Sequence, residues 1–384
     1  MRLAVVVPRY GPDVAGGAES QARGFATEAV RRGWQVEVWT TCARNHYTWE
    51  NAYPAGLEEI EGVPVRRFPV VLRRVDRWRT IEGLAASGGG LSVADQYDWL
   101  DCGAHSPDLY HHVARHADRF DAIVALPYAM QLIHCAAWAA LGRTVFWPCL
   151  HNEPYAFLQV THLLLESVWG VMFNSPEDRD LANHILGVRP RCQAVLGEGV
   201  TLAPVSATAS QPVLSDLLYV GRLEGGKNLS LLYKYVRQYT SEGGNLRLVV
   251  VGRGPLEPPR HPAFEYLGFV SEEEKARCYT TALALCQPSL NESFSLTMME
   301  SWLAGRPALV HEQCQVTRAH VRRSQGGLCF DNYEEFVAAV EWLQSNPSLA
   351  TRMGSNGREY VQRNYTWPAI ADRFERLVTM WKDK

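Results

Sequence analysis

The chain has 384 residues, of which 47% are hydrophobic and 21% charged. This length and composition argue against a disordered protein and fit two domains of about 150–200 residues, each with its own core. The formal net charge of -3 argues against a chain built to coat nucleic acid, so we expect no nucleic-acid partner.

The nine cysteines form no Cys-x-x-Cys pair and show no zinc spacing, and several lie in apolar runs. Such residues are typical of buried thiols in a reducing cytosol. The N-terminal segment 1–8 reads as a short strand without a charged leader, and the chain contains no apolar run of 18 residues. We therefore expect a cytoplasmic protein without a signal peptide or a transmembrane helix.

The first half alternates apolar, β-branched runs with stretches of helical period. The predicted strands are 2–7, 35–39, 63–68, 122–126, 144–147 and 170–173, and the predicted helices are 17–32, 109–116, 130–141 and 176–186. Strands that alternate with helices predict a parallel sheet covered on both faces. Residues 1–200 are thus expected to form an N-terminal, Rossmann-like α/β domain.

Residues 201–211 are mostly small and contain one proline, which is typical of a linker. The alternation restarts after them and predicts a second Rossmann-like domain over residues 212–365. Its predicted strands are 217–220, 247–251, 264–267, 284–286 and 308–310, and its predicted helices are 228–240, 271–281, 295–304 and 334–344. An amphipathic C-terminal helix, 366–384, is expected to pack back on the first domain. Two doubly wound domains in tandem bind a ligand in the cleft between the carboxyl ends of their sheets.

A glycine-rich loop, residues 221–228, follows the first strand of the second domain and precedes a helix. Its glycines let backbone amides approach an anion, while Arg222 and Lys227 add two full charges, so the loop suits a diphosphate. The spacing also matches a P-loop, but Asn228 stands where Ser or Thr would hold magnesium. An NTPase site and a purely structural turn remain the alternatives.

Glu292 and Glu300 are eight residues apart, the first in a loop after a strand and the second in the next helix. On one continuous helix that spacing separates them by about 12 Å, so they cannot share a proton but can hold opposite ends of one ligand. Between them, the amides near Phe294, Ser295 and Leu296 open the helix and can meet phosphate oxygens. The alternative is a favourable charge near the helix start and a solvated glutamate.

Together these motifs resemble retaining glycosyltransferases of family 4, which have the two-domain GT-B fold. The resemblance rests on Gly-Arg-Leu at 221–223 with Lys227-Asn228, on 250–255, on Leu-Gly-Phe-Val-Ser at 267–271, and on the Glu-seven-Glu spacing of 292–300. Their order and spacing match over most of the second half. This resemblance implies a metal-independent transferase without a cofactor, acting on a nucleoside-diphosphate sugar.

The resemblance also implies a role for each matching residue. Arg222 and Lys227 neutralise the leaving diphosphate, a form of electrostatic stabilisation. Glu292 contacts the donor sugar and Glu300 binds the ribose hydroxyls. The remaining donor-binding residues that we carry over are Gly252 in the second motif, Phe269 and Val270 behind the base, and Gly16 and Gly17 in the first domain. A plain Rossmann nucleotide site is the alternative for the last two, although the full G-x-G-x-x-G spacing is absent.

Further strings at 40–49, 62–68 and 151–154 resemble a bacterial branch of the family associated with cell-surface polysaccharides. Asn152 replaces the aspartate that is usual in that branch. Many relatives also carry a histidine after the fourth strand, where this chain has Leu-Pro-Tyr-Ala at 126–129. His151, after the next strand, is the nearest catalytic candidate, and a structural histidine is the alternative.

Two charged segments have less specific patterns. Arg66–Arg79 interleaves six arginines with apolar residues and is expected to be a solvated basic face; the sharper alternative is peripheral contact with the inner membrane surface or a lipid-diphosphate acceptor. Asp178-Arg179-Asp180 resembles an Asp-x-Asp metal motif but lies in a predicted helix, so we expect surface charge and no metal site.

The sequence therefore predicts a retaining hexosyltransferase that uses a UDP- or GDP-sugar and a glycan, lipid-linked or small-molecule acceptor. A nucleotide-sugar epimerase of similar fold would need an acid and a base on either side of the sugar, and neither is evident. A catalytically weak nucleotide-sugar-binding protein is the other alternative.

Overall fold

The computed structural model describes residues 1–14, 16–204 and 213–382. The chain divides into two compact units. Unit 1 comprises Met1–Gly199 together with Trp367–Lys384, and unit 2 comprises Val200–Thr366. Of the linker predicted at 201–211, only residues 201–204 are described, and they have no regular structure; the rest lies outside the described residues.

Unit 1 is built on an eight-stranded sheet in the order β10-β9-β8-β7-β1-β2-β4-β3. All its neighbours pair in parallel except β3 and β4, which are antiparallel, and β5 and β6 form a separate antiparallel pair. The strands are β1 Arg2–Val6, β2 Gln35–Thr41, β3 Gly56–Ile60, β4 Val63–Phe68, β5 Val71–Arg73, β6 Gly103–His105, β7 Ala122–Ala125, β8 Thr144–Phe146, β9 Gly170–Phe173 and β10 Gln193–Val195.

Helices cover both faces of this sheet because its central strands are apolar throughout. The helices of unit 1 are α1 Gly17–Arg31, α2 Val75–Ala86, α3 Val93–Asp101, α4 Pro107–His116, α5 Gln131–Trp138, α6 Gln159–Ser167, α7 Pro176–Asp180 and, at the end of the chain, α14 Trp367–Lys382. Each of the four residues of β7 and of β9 is buried, the pattern of strands sandwiched between two layers of helices. Phe25 of α1 packs edge-to-face on Trp147 and Phe374, which attaches α14 to this core.

Unit 2 contains a six-stranded, all-parallel sheet in the order β13-β12-β11-β14-β15-β16. Its strands are β11 Val213–Val220, β12 Arg247–Val251, β13 Phe264–Gly268, β14 Ala282–Gln287, β15 Ala308–His311 and β16 Gly327–Phe330. Its helices are α8 Leu229–Ser241, α9 Glu272–Thr281, α10 Leu296–Leu303, α11 Gln315–Ser324, α12 Tyr333–Ser345 and α13 Pro347–Asn364.

The predicted pair of doubly wound α/β sheets is confirmed, and most predicted elements lie within two or three residues of the observed bounds. The predicted helix 176–186 differs in kind, since α7 ends at Asp180 and the chain continues as a π-helix over Leu181–Ile185. Several elements were not predicted: the strands β3, β5, β6, β10 and β16 and the helices α2, α3, α6, α11 and α13. None of the helices within the described ranges has the length and apolar character of a membrane span.

Candidate active site

The predicted donor-binding residues follow neighbouring strands of the unit 2 sheet. The loops after β13, β12, β11 and β14 carry Phe269, Gly252, Arg222 and Glu292 respectively, and these four strands are adjacent in the sheet. Because the strands are parallel, their carboxyl ends lie at the same edge. The fold therefore gathers residues that span 70 positions of sequence, from 222 to 292, into one region of unit 2.

The glycine-rich loop ends in a single 3-10 turn, Gly225–Lys227, followed by Asn228 in the left-handed region at φ 55°. The Asn228 side-chain amide donates to the carbonyl of Pro288 at 3.1 Å. This contact ties the loop after β11 to the loop after β14. Asn228 thus has a structural task in this loop where a P-loop would use Ser or Thr for magnesium.

Lys227 and Glu292 form an ion pair across these two loops. The Lys227 Nζ lies 2.7 Å from Glu292 Oε1, and their side chains are 18% and 9% exposed. Gln287, at the end of β14, also donates to this oxygen at 3.3 Å. An ammonium has three donors, so Lys227 can hold Glu292 and still meet an anion. The sequence did not predict the contact between Lys227 and Glu292, because it joins loops that are 65 positions apart. The contribution of Gln287 was not predicted either.

Arg222 lies apart from this ion pair. Its guanidinium is 3.0 Å from Glu224, and its side chain is 59% exposed. The Arg222 carbonyl accepts a hydrogen bond from the buried Tyr219 hydroxyl at 2.8 Å, which fixes the backbone. The backbone of Arg222 is therefore held in place by Tyr219, while its guanidinium lies in solvent beside Glu224.

The start of α10 lies directly after Glu292. Ser295 precedes the helix with φ 76°, a left-handed conformation that costs a non-glycine residue about 1 kcal/mol or more. Leu296 opens the helix, so its amide is among the first N–H groups, which have no partner within a helix. The Phe294 side chain is buried against His320 and Tyr365, so only its backbone is available to a ligand.

Glu300 lies in the second turn of α10, away from Glu292. Its Oε1 accepts from Lys275 Nζ at 3.0 Å and its Oε2 from the Tyr279 hydroxyl at 2.7 Å. Burial raises the pKa of Glu300 above its ordinary value, and the positive charge of Lys275 opposes that rise. Neither partner was assigned a role from sequence, although Lys275 is one of only five lysines in the chain.

Gly252 permits a close approach of two loops. A Cβ atom at this position, where φ is 139°, would lie 1.8 Å from the Gly221 carbonyl oxygen, and the Gly252 amide donates to Gly268 at 2.8 Å. Next to this crossing, the exposed Phe269 ring has the Arg253 guanidinium 5.4 Å from its centroid, within cation–π range. Val270 follows and is half-buried. The glycine is thus required by backbone packing, and Phe269 offers an aromatic face to solvent.

In unit 1, Gly16 and Gly17 form the entry to α1. Gly16 immediately precedes the helix and follows position 15, which lies outside the described residues, and Gly17 is the first residue of the helix. Behind them, Glu19 in the first turn forms a buried ion pair with Arg9 at 2.5 Å. A Cβ atom at Gly16 would lie 1.9 Å from Glu19 Oε2, so this carboxylate occupies the space that a side chain would need.

His151 lies in the loop after β8 with a side chain that is partly exposed. Its Nδ1 is 3.7 Å from Glu153 Oε1, and the same oxygen accepts a hydrogen bond from the Tyr128 hydroxyl. Tyr128 is itself held by His134, whose Nε2 donates to the Tyr128 carbonyl at 2.7 Å. Burial lowers the pKa of His134 to about 4, so this histidine stays neutral. Tyr128 lies in the segment 126–129, where many relatives carry a histidine, and it shares the Glu153 Oε1 atom with His151.

The prediction that Asp178 carries surface charge was wrong. Asp178 is 1% exposed, its Oδ2 accepts from the Asn174 amide at 3.0 Å, and its own amide donates to Ser175 Oγ at 3.0 Å. Burial raises the pKa of this carboxyl well above its ordinary value. Ser-Pro-Glu-Asp at a helix start is a capping arrangement, a signal present in the sequence.

The arginine-rich stretch is not a uniformly solvated basic face either. Arg67 is 2% exposed, donates to the Tyr10 carbonyl at 2.8 Å and lies 4.1 Å over the Tyr53 ring, besides its ion pair with Glu58. The other arginines in it are each paired with a carboxylate: Arg66 with Glu37, Arg73 and Arg74 with Asp101, Arg77 with Asp95 and Asp98, and Arg79 with Asp76. Their charges are thus largely balanced within unit 1.

Comparisons with known proteins agree with this fold. The family model for glycosyl transferases group 1 matches residues 214–360. An uncharacterized glycosyltransferase of Methanocaldococcus jannaschii is 23% identical over 97% of this chain and 96% of its own. A GDP-mannose-dependent mannosyltransferase of phosphatidylinositol dimannoside from Mycobacterium tuberculosis is 27% identical over 40% of this chain and 41% of its own. The crystal structure of Anabaena HepE with UDP and glucose superposes with a TM-score of 0.70 at 15% identity, covering 99% of this chain and 100% of that one.

The two doubly wound units, taken with these similarities, define the GT-B fold. Within that fold class the protein is a glycosyltransferase, with the group 1 match lying on the unit that carries Lys227, Glu292 and Glu300.

Proposed function

We propose that the protein is a retaining glycosyltransferase of family 4 that moves a hexosyl group from a nucleoside-diphosphate sugar to a glycan, lipid-linked or small-molecule acceptor. The observation that carries this proposal is the Lys227–Glu292 ion pair beside the start of α10. It supports the proposal because a cation that can meet phosphate oxygens lies next to a carboxylate that can accept hydrogen bonds from sugar hydroxyls.

In this proposal the bond between the sugar C1 and the diphosphate oxygen breaks, and its electron pair leaves with the phosphate. Lys227 and Arg222 stabilise the negative charge that develops there, aided by the first amides of α10. The acceptor hydroxyl oxygen forms the new bond to C1 on the same face of the sugar. Its proton passes to the leaving phosphate, so the step needs no separate general base, and the two cations serve where a metal would otherwise be used.

Glu292 is positioned to bind hydroxyl groups of the donor sugar. Its Oε1 already accepts from Lys227 and Gln287. A carboxylate offers about four lone-pair sites, so a sugar hydroxyl can donate to Glu292 while these contacts persist. The sugar would then lie between a carboxylate that binds its hydroxyls and a cation that binds its phosphate.

Unit 1 would supply the acceptor side, with His151 as its catalytic candidate. Glu153, which accepts a hydrogen bond from Tyr128, lies 3.7 Å from Nδ1 of this partly exposed histidine. The GDP-mannose and UDP named for two relatives support a donor with either base, and the branch resemblance supports polysaccharide or glycoconjugate biosynthesis in the cytoplasm. Membrane contact through Arg66–Arg79 is not part of the proposal, because these arginines are paired with carboxylates.

The test is incubation with a panel of labelled UDP- and GDP-sugars, followed by analysis of the anomeric configuration of any product by NMR. Transfer or donor hydrolysis with retention of configuration supports the proposal. Interconversion of sugars would identify an epimerase, binding without turnover would identify a nucleotide-sugar-binding protein, and an inverted product would refute the retaining mechanism.

A further inference from the structure

Glu300 is held by two residues of a neighbouring helix. Lys275 and Tyr279 are four positions apart on α9, so they share one helical face. Lys275 donates to Oε1 of Glu300 at 3.0 Å and Tyr279 donates to Oε2 at 2.7 Å. Each carboxylate oxygen therefore has its own donor from α9.

This arrangement determines what Glu300 can still bind. A carboxylate has about four lone-pair sites, two on each oxygen. Lys275 and Tyr279 use one on each, which leaves one acceptor site on each oxygen. Two adjacent hydroxyl groups, such as the 2′ and 3′ hydroxyls of a ribose, can then donate to the two oxygens side by side.

We propose that Lys275 and Tyr279 are positioning residues for nucleoside recognition, fixing Glu300 so that both of its oxygens accept hydrogen bonds from the ribose diol. This inference rests on the proposed function, since it takes a nucleoside-diphosphate sugar as the donor. It adds two residues that touch no substrate and act through Glu300.

Lys275 also influences whether Glu300 is ionised. The Glu300 side chain is only 12% exposed, and a protonated carboxyl would donate from one oxygen and lose an acceptor site there. The ammonium of Lys275, 17% exposed, lies against it and favours the ionised form. Burial raises the pKa of Tyr279 well above its ordinary value, so its hydroxyl remains a donor.

Lys275 has a second carboxylate partner that provides a matched control. Glu272, also on α9, lies 2.8 Å from Lys275 Nζ but is 67% exposed. A Glu272→Gln variant removes that exposed partner and leaves both donors to Glu300 in place. If the ion pair between Lys275 and Glu272 only stabilises α9, Glu272→Gln lowers the stability of that helix. The same variant should leave the recognition of the ribose unchanged.

The experiment compares the affinities of UDP and 2′-deoxy-UDP by calorimetry, or of the guanosine pair if the wild-type protein binds that base. The proteins compared are the wild type and the Lys275→Met, Tyr279→Phe and Glu272→Gln variants. A hydrogen bond to a charged group contributes about 1.5–3 kcal/mol, so loss of the 2′ hydroxyl should weaken wild-type binding by about tenfold or more. In Lys275→Met we expect UDP to bind about tenfold more weakly and the preference for the ribonucleotide to fall below about threefold. Tyr279→Phe should lose part of the preference and Glu272→Gln none.

The ratio of the two affinities separates positioning from general stability, because a merely loosened unit 2 would weaken both nucleotides equally. Tyr279→Phe removes one hydroxyl only, so it tests the inference even if Lys275→Met does not fold. Unchanged discrimination in both variants would overturn the inference and leave the proposed function standing. A wild type that binds the diphosphates without preferring the ribonucleotide also overturns it. Failure of the wild type to bind either diphosphate would overturn the proposed function as well.

Discussion

Replacing Lys227 with Met removes the cation of the ion pair with Glu292 while keeping most of the side-chain volume. The wild-type pair is 2.7 Å long, with side chains 18% and 9% exposed. Exposed ion pairs contribute about 0.2–1 kcal/mol, and loss of one partner from a buried pair costs about 3–5 kcal/mol. This pair is intermediate in burial, and Gln287 still donates to Glu292 in the variant. We therefore expect the free energy of unfolding of unit 2 to fall by about 2 kcal/mol.

A loss of that size lowers the Tm of a domain of this length by about 4–8 °C. The substitution should reduce kcat more strongly than it reduces stability, because Lys227 is proposed to stabilise the negative charge that develops on the leaving diphosphate. Removal of one preorganised stabilising group costs about 100- to 1,000-fold in kcat. Thermal unfolding and initial rates of labelled transfer at saturating donor measure the two effects on the same protein.

A second substitution separates stability from catalysis. Adding Glu292→Gln to Lys227→Met removes the buried carboxylate that has lost its ammonium, so most of the lost Tm should return while kcat stays low. Lys234→Met, at an exposed position on α8, is the matched control and should change neither quantity. A Lys227→Met protein with kcat within about threefold of wild type would refute the assignment of Lys227 to the diphosphate.

Three further predictions concern other parts of the molecule. Gly252→Ala should destabilise unit 2 by more than about 1 kcal/mol and weaken diphosphate binding, because its Cβ would lie 1.8 Å from the Gly221 carbonyl; calorimetric unfolding and titration measure both. Burial tends to raise the pKa of Glu28, but its bonds to Arg31 and Arg32 lower it overall. The stabilisation from Glu28 should therefore be full above its ordinary pKa of 4.5 and disappear as pH falls through the lower folded value, so the Tm difference from Glu28→Gln narrows in acid. Transferase activity should survive dialysis against EDTA, since two cations are proposed to replace a metal.

Controls for these predictions are available in the same chain. Gly226→Ala introduces a Cβ that meets nothing within 4 Å, so it should leave Tm unchanged. A Tm difference for Glu28→Gln that grows as pH falls would contradict the assigned direction of its shift. Loss of activity in EDTA that is restored by a divalent cation would contradict metal independence.

The parts of the fold that were predictable are those with strong local patterns. The strand Val63–Phe68 and the strand Gly170–Phe173 were predicted to the residue. Gly170–Phe173 is a short, fully buried apolar run, and in Val63–Phe68 the apolar residues Val63, Val65 and Phe68 are buried. The strand Gly56–Ile60 was missed because it is an exposed antiparallel edge whose sequence, Gly-Leu-Glu-Glu-Ile, has no apolar run. The helices Val75–Ala86 and Val93–Asp101 bury few residues and are rich in charge, so their periodicity is weak.

The candidate site shows the same division between local and long-range signals. Lys227, Glu292 and Glu300 were accessible from the sequence because each belongs to a motif with fixed spacing. Lys275 and Tyr279 were not, because they contact Glu300 from another helix and their own surroundings in sequence are an ordinary charged helix. The burial of Asp178 was missed for a different reason, since its capping signal was present and was read as a metal-like motif.

The choice of lysine at positions 227 and 275 has a physical explanation. Lysine and arginine together number 38, and only five are lysines, yet two of these hold the two candidate donor carboxylates. An arginine fork tends to bind both oxygens of a carboxylate at once, whereas an ammonium is a point charge that engages one. Both lysines contact a single Oε1, so the charge is balanced while acceptor sites on the carboxylate remain for hydroxyl groups. In an arginine-rich chain, lysine at these two positions fits the proposed binding of sugar and ribose hydroxyl groups.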